Sequence, residues 1–221
     1  VMAKVWNRKM FQHIKRQADD ASVKLAHERG ACPDAADYGI MERFSNKIAI
    51  APTASISIIC GGASPGIEPV AANAYTHKTL SGSFAVKSPY LEKLLEEKGM
   101  NNEDIWASIY TNEGSVQHLD FLTDAEKDVF KTAFEIDQRW LIEHAGDRTP
   151  FICQAQSLNL FLPANVHKTE LHKLHWDAWA KGVKSLYYCR AKSIQRAESA
   201  ASWHRTKQAN DKEPQQLELG E

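Results

Sequence analysis

Residues 48–57 constrain this chain more than any other stretch. Ile48, Ala49, Ile50 and Ala51 form a short apolar run that stops at Pro52 and opens at once into Thr53, Ala54, Ser55, Ile56 and Ser57. The run reads as a buried strand. Small side chains after it let backbone approach a ligand closely, and consecutive N–H groups form a concavity for anions. Hydroxyls add donors, and a helix starting here would add a favourable dipole. Phosphate is the ligand that such an edge suits best. The competing reading is an ST-turn that caps a helix and binds nothing.

A second segment lies far downstream, at Lys184, Ser185, Leu186, Tyr187, Tyr188, Cys189 and Arg190. The pattern leaves a helix and enters a short strand carrying adjacent tyrosines. Successive strand residues point to opposite faces, so the two phenols are expected on opposite sides. Aromatics are also ordinary strand formers, and packing alone could explain the pair.

Taken together, these segments resemble the large, catalytic subunit of class I (Ia-type) ribonucleotide reductase. The resemblance rests on residues 51–57, on Gly66, Ile67, Glu68 and Pro69, and on Leu80, Ser81, Gly82, Ser83 and Phe84. It continues through Gln154, Ala155, Gln156, Ser157, Leu158 and Asn159 and ends on residues 182–188. Their order and spacing match the C-terminal part of that family, up to about Ala197. The implied fold class is α/β: the C-terminal part of a ten-stranded α/β barrel, a small, mostly helical α/β subdomain, and a disordered tail. The expected division is a barrel segment with the phosphate loop (1–74), the small subdomain (75–173), the final barrel helix and strand (174–197) and a flexible tail (198–221).

Composition is compatible with this. The 221 residues are 43% hydrophobic, enough for a substantial core. Lys and Arg number 27 against 28 Asp and Glu, so no global field favours nucleic acid or a membrane surface. No apolar run approaches the ~20 residues of a membrane span. The four cysteines, Cys32, Cys60, Cys153 and Cys189, form no CxxC pair, which fits a reducing cytoplasm. All four read as buried small hydrophobes.

Periodicity predicts a helix over 3–28, with Val5, Phe11, Ile14, Ala18, Ala21 and Leu25 recurring near helical spacing and Gly30 just past its end. A loop follows over 31–45, and Gly61, Gly62, Ala63, Ser64, Pro65 and Gly66 read as a flexible turn. Short helices are expected over 89–98 and 105–111, then a long one over 124–145 capped by Thr123 and Glu126. Its apolar face would be Val129, Ala133, Ile136, Trp140 and Leu141. A last helix over 169–181 ends at Gly182, and polar residues 207–221 should be disordered.

The resemblance also assigns roles. Pro52, Thr53, Ala54, Ser55, Ile56 and Ser57 would bind the substrate diphosphate through backbone N–H groups and hydroxyls. Tyr187 and Tyr188 would transfer a radical, Tyr187 nearer the active-site cysteine and Tyr188 nearer the small subunit. The radical-forming cysteine and the redox-active pair are expected upstream of this sequence, and Cys153 stands where the family usually has an aspartate. No cofactor is expected in this chain; a metal-radical cofactor belongs to the small subunit. Implied partners are the N-terminal portion of the large subunit, the small radical-generating subunit, a ribonucleoside diphosphate and a thioredoxin- or glutaredoxin-type reductant. The chain is expected to be a cytoplasmic piece of the reductase, inactive alone; the alternative is a non-catalytic nucleotide-binding or assembly remnant. His167, His172 and His175 read as surface residues without metal-ligand spacing. Glu68 reads as an anchor for its loop, or an acid near the ribose. Arg190, Lys192 and Arg196 read as a solvated run or a docking patch.

Overall fold

A computed structural model of the chain describes residues 2–60, 64–79 and 82–191. Contacts group these into two units. The larger holds 1–69 and 136–190, and the smaller centres on 70–135. The boundaries expected near 75 and 173 therefore differ from the contacts, because residues 136–173 pack within the larger unit. The expected tail, 198–221, lies outside the described residues, as do Gly61–Ala63 of the glycine turn and Leu80 and Ser81.

The larger unit begins with α1 (Met2–Arg29) and the short α2 (Pro33–Ala36). Gly30 ends α1 at φ +82°, a conformation that costs glycine little. Of the residues recurring at helical spacing in α1, Phe11, Ala18 and Leu25 are half-buried. Asn7, Ser22 and Ala26 are buried, whereas Val5 and Ile14 are exposed. Polar contacts select that face. The Asn7 amide donates to the His144 carbonyl at 2.8 Å. The Ser22 hydroxyl accepts the N–H groups of Arg43 and Phe44 at 3.1 and 3.2 Å. Lys47 bridges Asp19 and Glu42 at 2.5 and 3.0 Å.

Residues 48–51 do not form the buried strand expected. Ile48 and Ile50 are half-buried, Ala49 and Ala51 exposed, and the pairing is a parallel bridge between Ile50 and Gln156. The short α3 (Ala54–Ile59) follows.

The smaller unit carries an antiparallel hairpin, β1 (Ala74–Thr79) with β2 (Gly82–Lys87), in register from Ala74↔Lys87 to Thr79↔Gly82. It is followed by α4 (Pro89–Glu97), capped by Ser88 with Pro89 in its first turn, and α5 (Glu103–Thr111), capped by Asn102. Leu91, Leu95, Trp106, Ile109, Val116, Leu119 and Leu122 close its core. Gly114 sits at φ +81° against the backbone of Ala72 and Asn73, where any side chain would collide.

The long helix expected over 124–145 is broken. α6 (Asp124–Val129) starts with the expected Thr123–Glu126 capping box, a 3-10 turn covers Ala133–Glu135, and α7 spans Gln138–Arg148. One local and one distant acceptor take the N–H groups that a continuous helix needs. Thr132 donates to the Glu135 carboxylate at 2.8 Å and Ala133 to the Val70 carbonyl at 2.8 Å. The Phe130 carbonyl accepts the buried Asn73 amide at 2.7 Å, and Asp137 caps the new start. Val129 and Trp140, expected inside, are exposed.

The 3-10 turn Thr149–Phe151, β3 (Leu160–Leu162), α8 (Lys168–Ala180) and β4 (Cys189–Ala191) complete the larger unit, with β3 beside β4. Among the described residues no helix is long and apolar enough to cross a membrane.

An ion network ties α1, α7 and the end of α8 together. Glu143 lies between Lys181 at 2.5 Å and Lys4 at 2.7 Å, and Asp147 meets Arg8 at 2.5 Å. Hydrogen bonds from Lys181 and then Lys4 hold the Glu143 carboxyl at about 2. A carboxylate depressed in the fold stabilises it above the unfolded value, and the effect is lost as pH falls. The chain should therefore lose stability between pH 4.5 and about 2. Glu143→Gln should flatten that loss in denaturant melts at successive pH values. Because the group is partly exposed, its effect at pH 7 should be about 1 kcal/mol or less.

Candidate functional site

One extended segment, 154–160, organises the larger unit. Its first half bonds to the run before α3: Gln154 N–H to the Ile48 carbonyl at 3.1 Å, Ile50 N–H to Ala155 at 3.1 Å, and Ser157 N–H to Ile50 at 2.8 Å. Its second half bonds to the tyrosine segment: Tyr187 N–H to Leu158 at 2.8 Å and Leu160 N–H to Tyr188 at 2.9 Å. The run leading into the candidate phosphate loop and the tyrosine pair thus hang from the same strand-like piece. Ile50 and Tyr188 attach four residues apart on it (Gln156 and Leu160), a run of roughly 13 Å if fully extended.

Side chains lock this arrangement. Glu68 is buried, and its carboxylate accepts the Asn159 N–H. The Asn159 side-chain oxygen accepts the Tyr188 N–H at 3.3 Å. Glu68 is therefore an anchor between its own loop and the tyrosine segment. Arg148, from the end of α7, is 4% exposed and donates from Nε to the buried Gln156 at 2.6 Å. Burial pulls the guanidinium down to about 10, against a smaller opposing effect of the Glu68 charge. Gln156 also donates to the Ala145 carbonyl and the Thr149 hydroxyl at 3.1 and 2.9 Å. Sequence reasoning missed the Arg148–Gln156 pair, since nothing in the spacing of a lone arginine shows that it is buried.

The phosphate-loop residues sit where a helix starts. Thr53 occupies the position before α3, and its side chain caps nothing. The N–H groups of Ala54, Ser55 and Ile56 belong to the first turn, where a helix supplies no acceptor. Ser57 departs from expectation. Its N–H donates to the Thr53 carbonyl at 2.8 Å and its hydroxyl to the Ala54 carbonyl at 2.7 Å. Both donors are consumed inside the helix, and Ser57 is buried. The loop's available donors are those of residues 53–56, with Thr53 half-buried and Ala54, Ser55 and Ile56 exposed.

Tyr187 and Tyr188 do not face opposite sides. Their rings lie 4.1 Å apart between centroids, tilted by 51°, and both are exposed. The segment enters regular pairing only at β4, so the strand alternation does not hold over the pair. A hydrogen bond with Tyr188, and then its charge, raise the Tyr187 phenol above its ordinary value. Arg190 lies 5.4 Å over the Tyr188 ring, which gives that residue a defined contact; Lys192 and Arg196 lie outside the described residues.

The geometry can be set beside known proteins. A family model described as "Ribonucleotide reductase, barrel domain" matches residues 34–189. The chain belongs to this family. It is 46% identical over 202 residues to the ribonucleoside-diphosphate reductase large subunit of Invertebrate iridescent virus 6, covering 90% of this chain and 21% of that protein. Over 181 residues it is 44% identical to the putative large subunit of Frog virus 3 (isolate Goorha), covering 82% and 32%. Among solved structures it resembles the class Id ribonucleotide reductase alpha subunit of Actinobacillus ureae, with a TM-score of 0.79 and 38% identity over 89% of this chain and 36% of that one. The chain thus spans about a third or less of the length of these relatives.

In this barrel-domain chain the cysteines are not the buried hydrophobes expected. Cys32 is half-buried and Cys60, Cys153 and Cys189 are exposed. The Cys153 sulfur accepts the N–H groups of Lys47 and Ile48, each at 3.1 Å. Partial burial pushes its thiol up, but these N–H groups and the charge of Lys184 outweigh that and leave it below its usual value. Cys153 therefore acts as an acceptor for consecutive N–H groups, as a carboxylate would. His167 caps α8, His172 lies 6.4 Å from Trp176, and His175 bonds to the Leu171 carbonyl at 2.7 Å.

Gln156→Ala should remove the acceptor of a buried guanidinium and two further anchoring bonds at once. Leaving a buried donor unsatisfied costs about 1–3 kcal/mol, with a charged group at the upper end. Urea unfolding should show a loss of about that size, whereas Ser55→Ala, at an exposed position, should change stability by about 0.5 kcal/mol or less.

Proposed function

We propose that this chain supplies the phosphate anchor and the radical-transfer tyrosines of a ribonucleoside-diphosphate reductase large subunit. One observation carries the reading. In a chain of the barrel-domain family, residues 154–160 bond on one side to the run feeding α3 and on the other to Tyr187 and Tyr188. A substrate anchor and an oxidising route are useful together only when one rigid element fixes both.

The chain's own groups suit these tasks. N–H groups of Ala54, Ser55 and Ile56, with hydroxyls of Thr53 and Ser55, offer donors that do not react with a diphosphate. Pro52 has no N–H, so it shapes the loop without donating. Holding the diphosphate would fix the ribose against the reacting cysteine of the complete subunit, a proximity effect. A phenol titrates near ~10, so at neutral pH it gives up a proton with its electron. Rings 4.1 Å apart can exchange both directly. The reading includes the rest of the large subunit, the small subunit with its metal-radical cofactor, a thioredoxin- or glutaredoxin-type reductant, and a reducing cytoplasm. Turnover requires those parts, so the chain alone is expected to be inactive.

The test is complementation. The 221-residue chain is combined with the remaining large-subunit portion of a relative, a small subunit and a reductant, and deoxynucleotide formation is measured. The chain alone should show none; turnover without the complementing portion would contradict the reading. Tyr187→Phe and Tyr188→Phe should each abolish turnover in the assembled enzyme. A purely packed pair would lose at most a hydrogen bond of ~1 kcal/mol and keep its activity.

The loop gives a second test, by nucleoside-diphosphate titration of the assembled enzyme. Ala54→Glu should repel the phosphates and weaken binding at least tenfold. Ser55→Ala should weaken binding several-fold, and Ser57→Ala should leave it nearly unchanged because its donors are already used. Equal affinities across all three variants would remove the loop from the site.

A further inference from the structure

Two bonds fix how the tyrosine segment lies along residues 158–160. The Tyr187 N–H donates to the Leu158 carbonyl at 2.8 Å, and the Tyr188 carbonyl accepts the Leu160 N–H at 2.9 Å. The bonds advance along both segments in the same direction, so the pairing is parallel. In a regular parallel ladder one residue makes both of these bonds. Here Tyr187 makes one and Tyr188 the other, so two residues stand opposite Asn159. That is a β-bulge, which re-aims side chains locally. The extra residue shifts the strand alternation by one, and the two rings meet 4.1 Å apart. A bulge also takes a peptide group out of the ladder. The N–H left over is that of Tyr188, and the Asn159 side-chain oxygen accepts it at 3.3 Å. The backbone N–H of Asn159 is held in turn by the buried Glu68 carboxylate. Glu68 is itself fixed. The Ser64 hydroxyl donates to its carbonyl at 2.5 Å, and Gly66 leaves room for its carboxylate, since a Cβ at 66 would collide with Oε2.

We propose that Asn159 is a positioning residue for the tyrosine pair: it holds the bulge that stacks Tyr187 against Tyr188, and Glu68 holds it in turn. The proposal rests on the radical-transfer reading above and names the device that builds the stack. Both rings are exposed, so among the described residues the backbone, rather than surrounding packing, sets their spacing. In the transfer the phenoxyl radical of Tyr188 takes one electron and one proton from Tyr187. Tyr188 becomes a phenol again and Tyr187 the phenoxyl radical; the small subunit's radical cofactor supplies the initial oxidation. A proton moves only across a hydrogen-bond distance, so the step depends on the bulge that brings the phenols together. A side chain in this place needs an accepting oxygen at the reach of Asn, which a hydrocarbon of equal size does not offer.

The experiment places 3-fluorotyrosine at position 187 of the full 221-residue chain and follows its titration by fluorine NMR. The wild-type phenol should titrate above free 3-fluorotyrosine, because it is hydrogen-bonded to Tyr188. Asn159→Leu keeps the size but not the oxygen, and Asn159→Ala removes both; whichever folds, by its far-UV circular dichroism, decides. Each should bring the titration down to the free value. In the assembled enzyme of the complementation test, each should lower turnover at least tenfold and leave nucleoside-diphosphate affinity within twofold. Asn159→Asp, which keeps an accepting oxygen, should restore the titration and stay within threefold of wild-type turnover. A purely structural role would lower stability and turnover without moving the phenol. An unmoved titration in Asn159→Leu and Asn159→Ala would therefore overturn the proposal, and would leave the radical-transfer reading intact if Tyr187→Phe and Tyr188→Phe still abolish turnover. Normal turnover in both phenylalanine variants would defeat that reading and the proposal with it.

Discussion

The hydrogen bond between the Arg148 guanidinium and the Gln156 side chain is the contact on which the larger unit depends. A guanidinium almost wholly out of water is tolerable only with its donors engaged. Gln156 engages its Nε and, through Ala145 and Thr149, fastens residues 154–160 to the end of α7. The segment so fixed then presents its backbone to both flanks. Ile48 and Ile50 take one side, and Tyr187 and Tyr188 the other. Every candidate functional group in this unit inherits its position from that segment.

Around this centre, polar contacts set the orientation of the helices. Asn7, Lys4 and Arg8 turn one side of α1 towards α7, and Ser22 and Lys47 fasten the chain that follows. Charged pairs at partly exposed positions add little net stability, but they discriminate strongly between alternative helix rotations. The smaller unit is held differently, by Leu91, Leu95, Ile109 and their neighbours in a dry core.

The helix ends were legible in the sequence because they are written in local chemistry. Gly30 and Gly182 end α1 and α8, Thr123 with Glu126 opens α6, and Pro89 after Ser88 opens α4. The anchoring role of Glu68 was one of two readings, and its bond to Asn159 supports it. The continuous helix over 124–145 failed because the N–H groups of Thr132 and Ala133 found better acceptors in Glu135 and Val70. Helical periodicity persists across that break; the local signal was Thr132 followed three residues on by Glu135, whose carboxylate takes the Thr132 N–H. Spacing within α1 also left its buried face open, because hydrophobic recurrence marks every apolar face of a helix, whether or not the described residues cover it.

The sequence by itself determined the family, several helix ends and the two motifs that carry the proposed chemistry. These depend on residue identity and short spacing, which do not change on folding. The tertiary structure decided which donors remain available. It consumed both donors of Ser57 within α3, brought the rings of Tyr187 and Tyr188 together, and placed the Cys153 sulfur against the N–H groups of Lys47 and Ile48. A hydrogen-bonding group can be spent only once. Where it is spent depends on partners about a hundred residues away, as with Cys153 and Lys47, and those partners are defined only once the chain has folded.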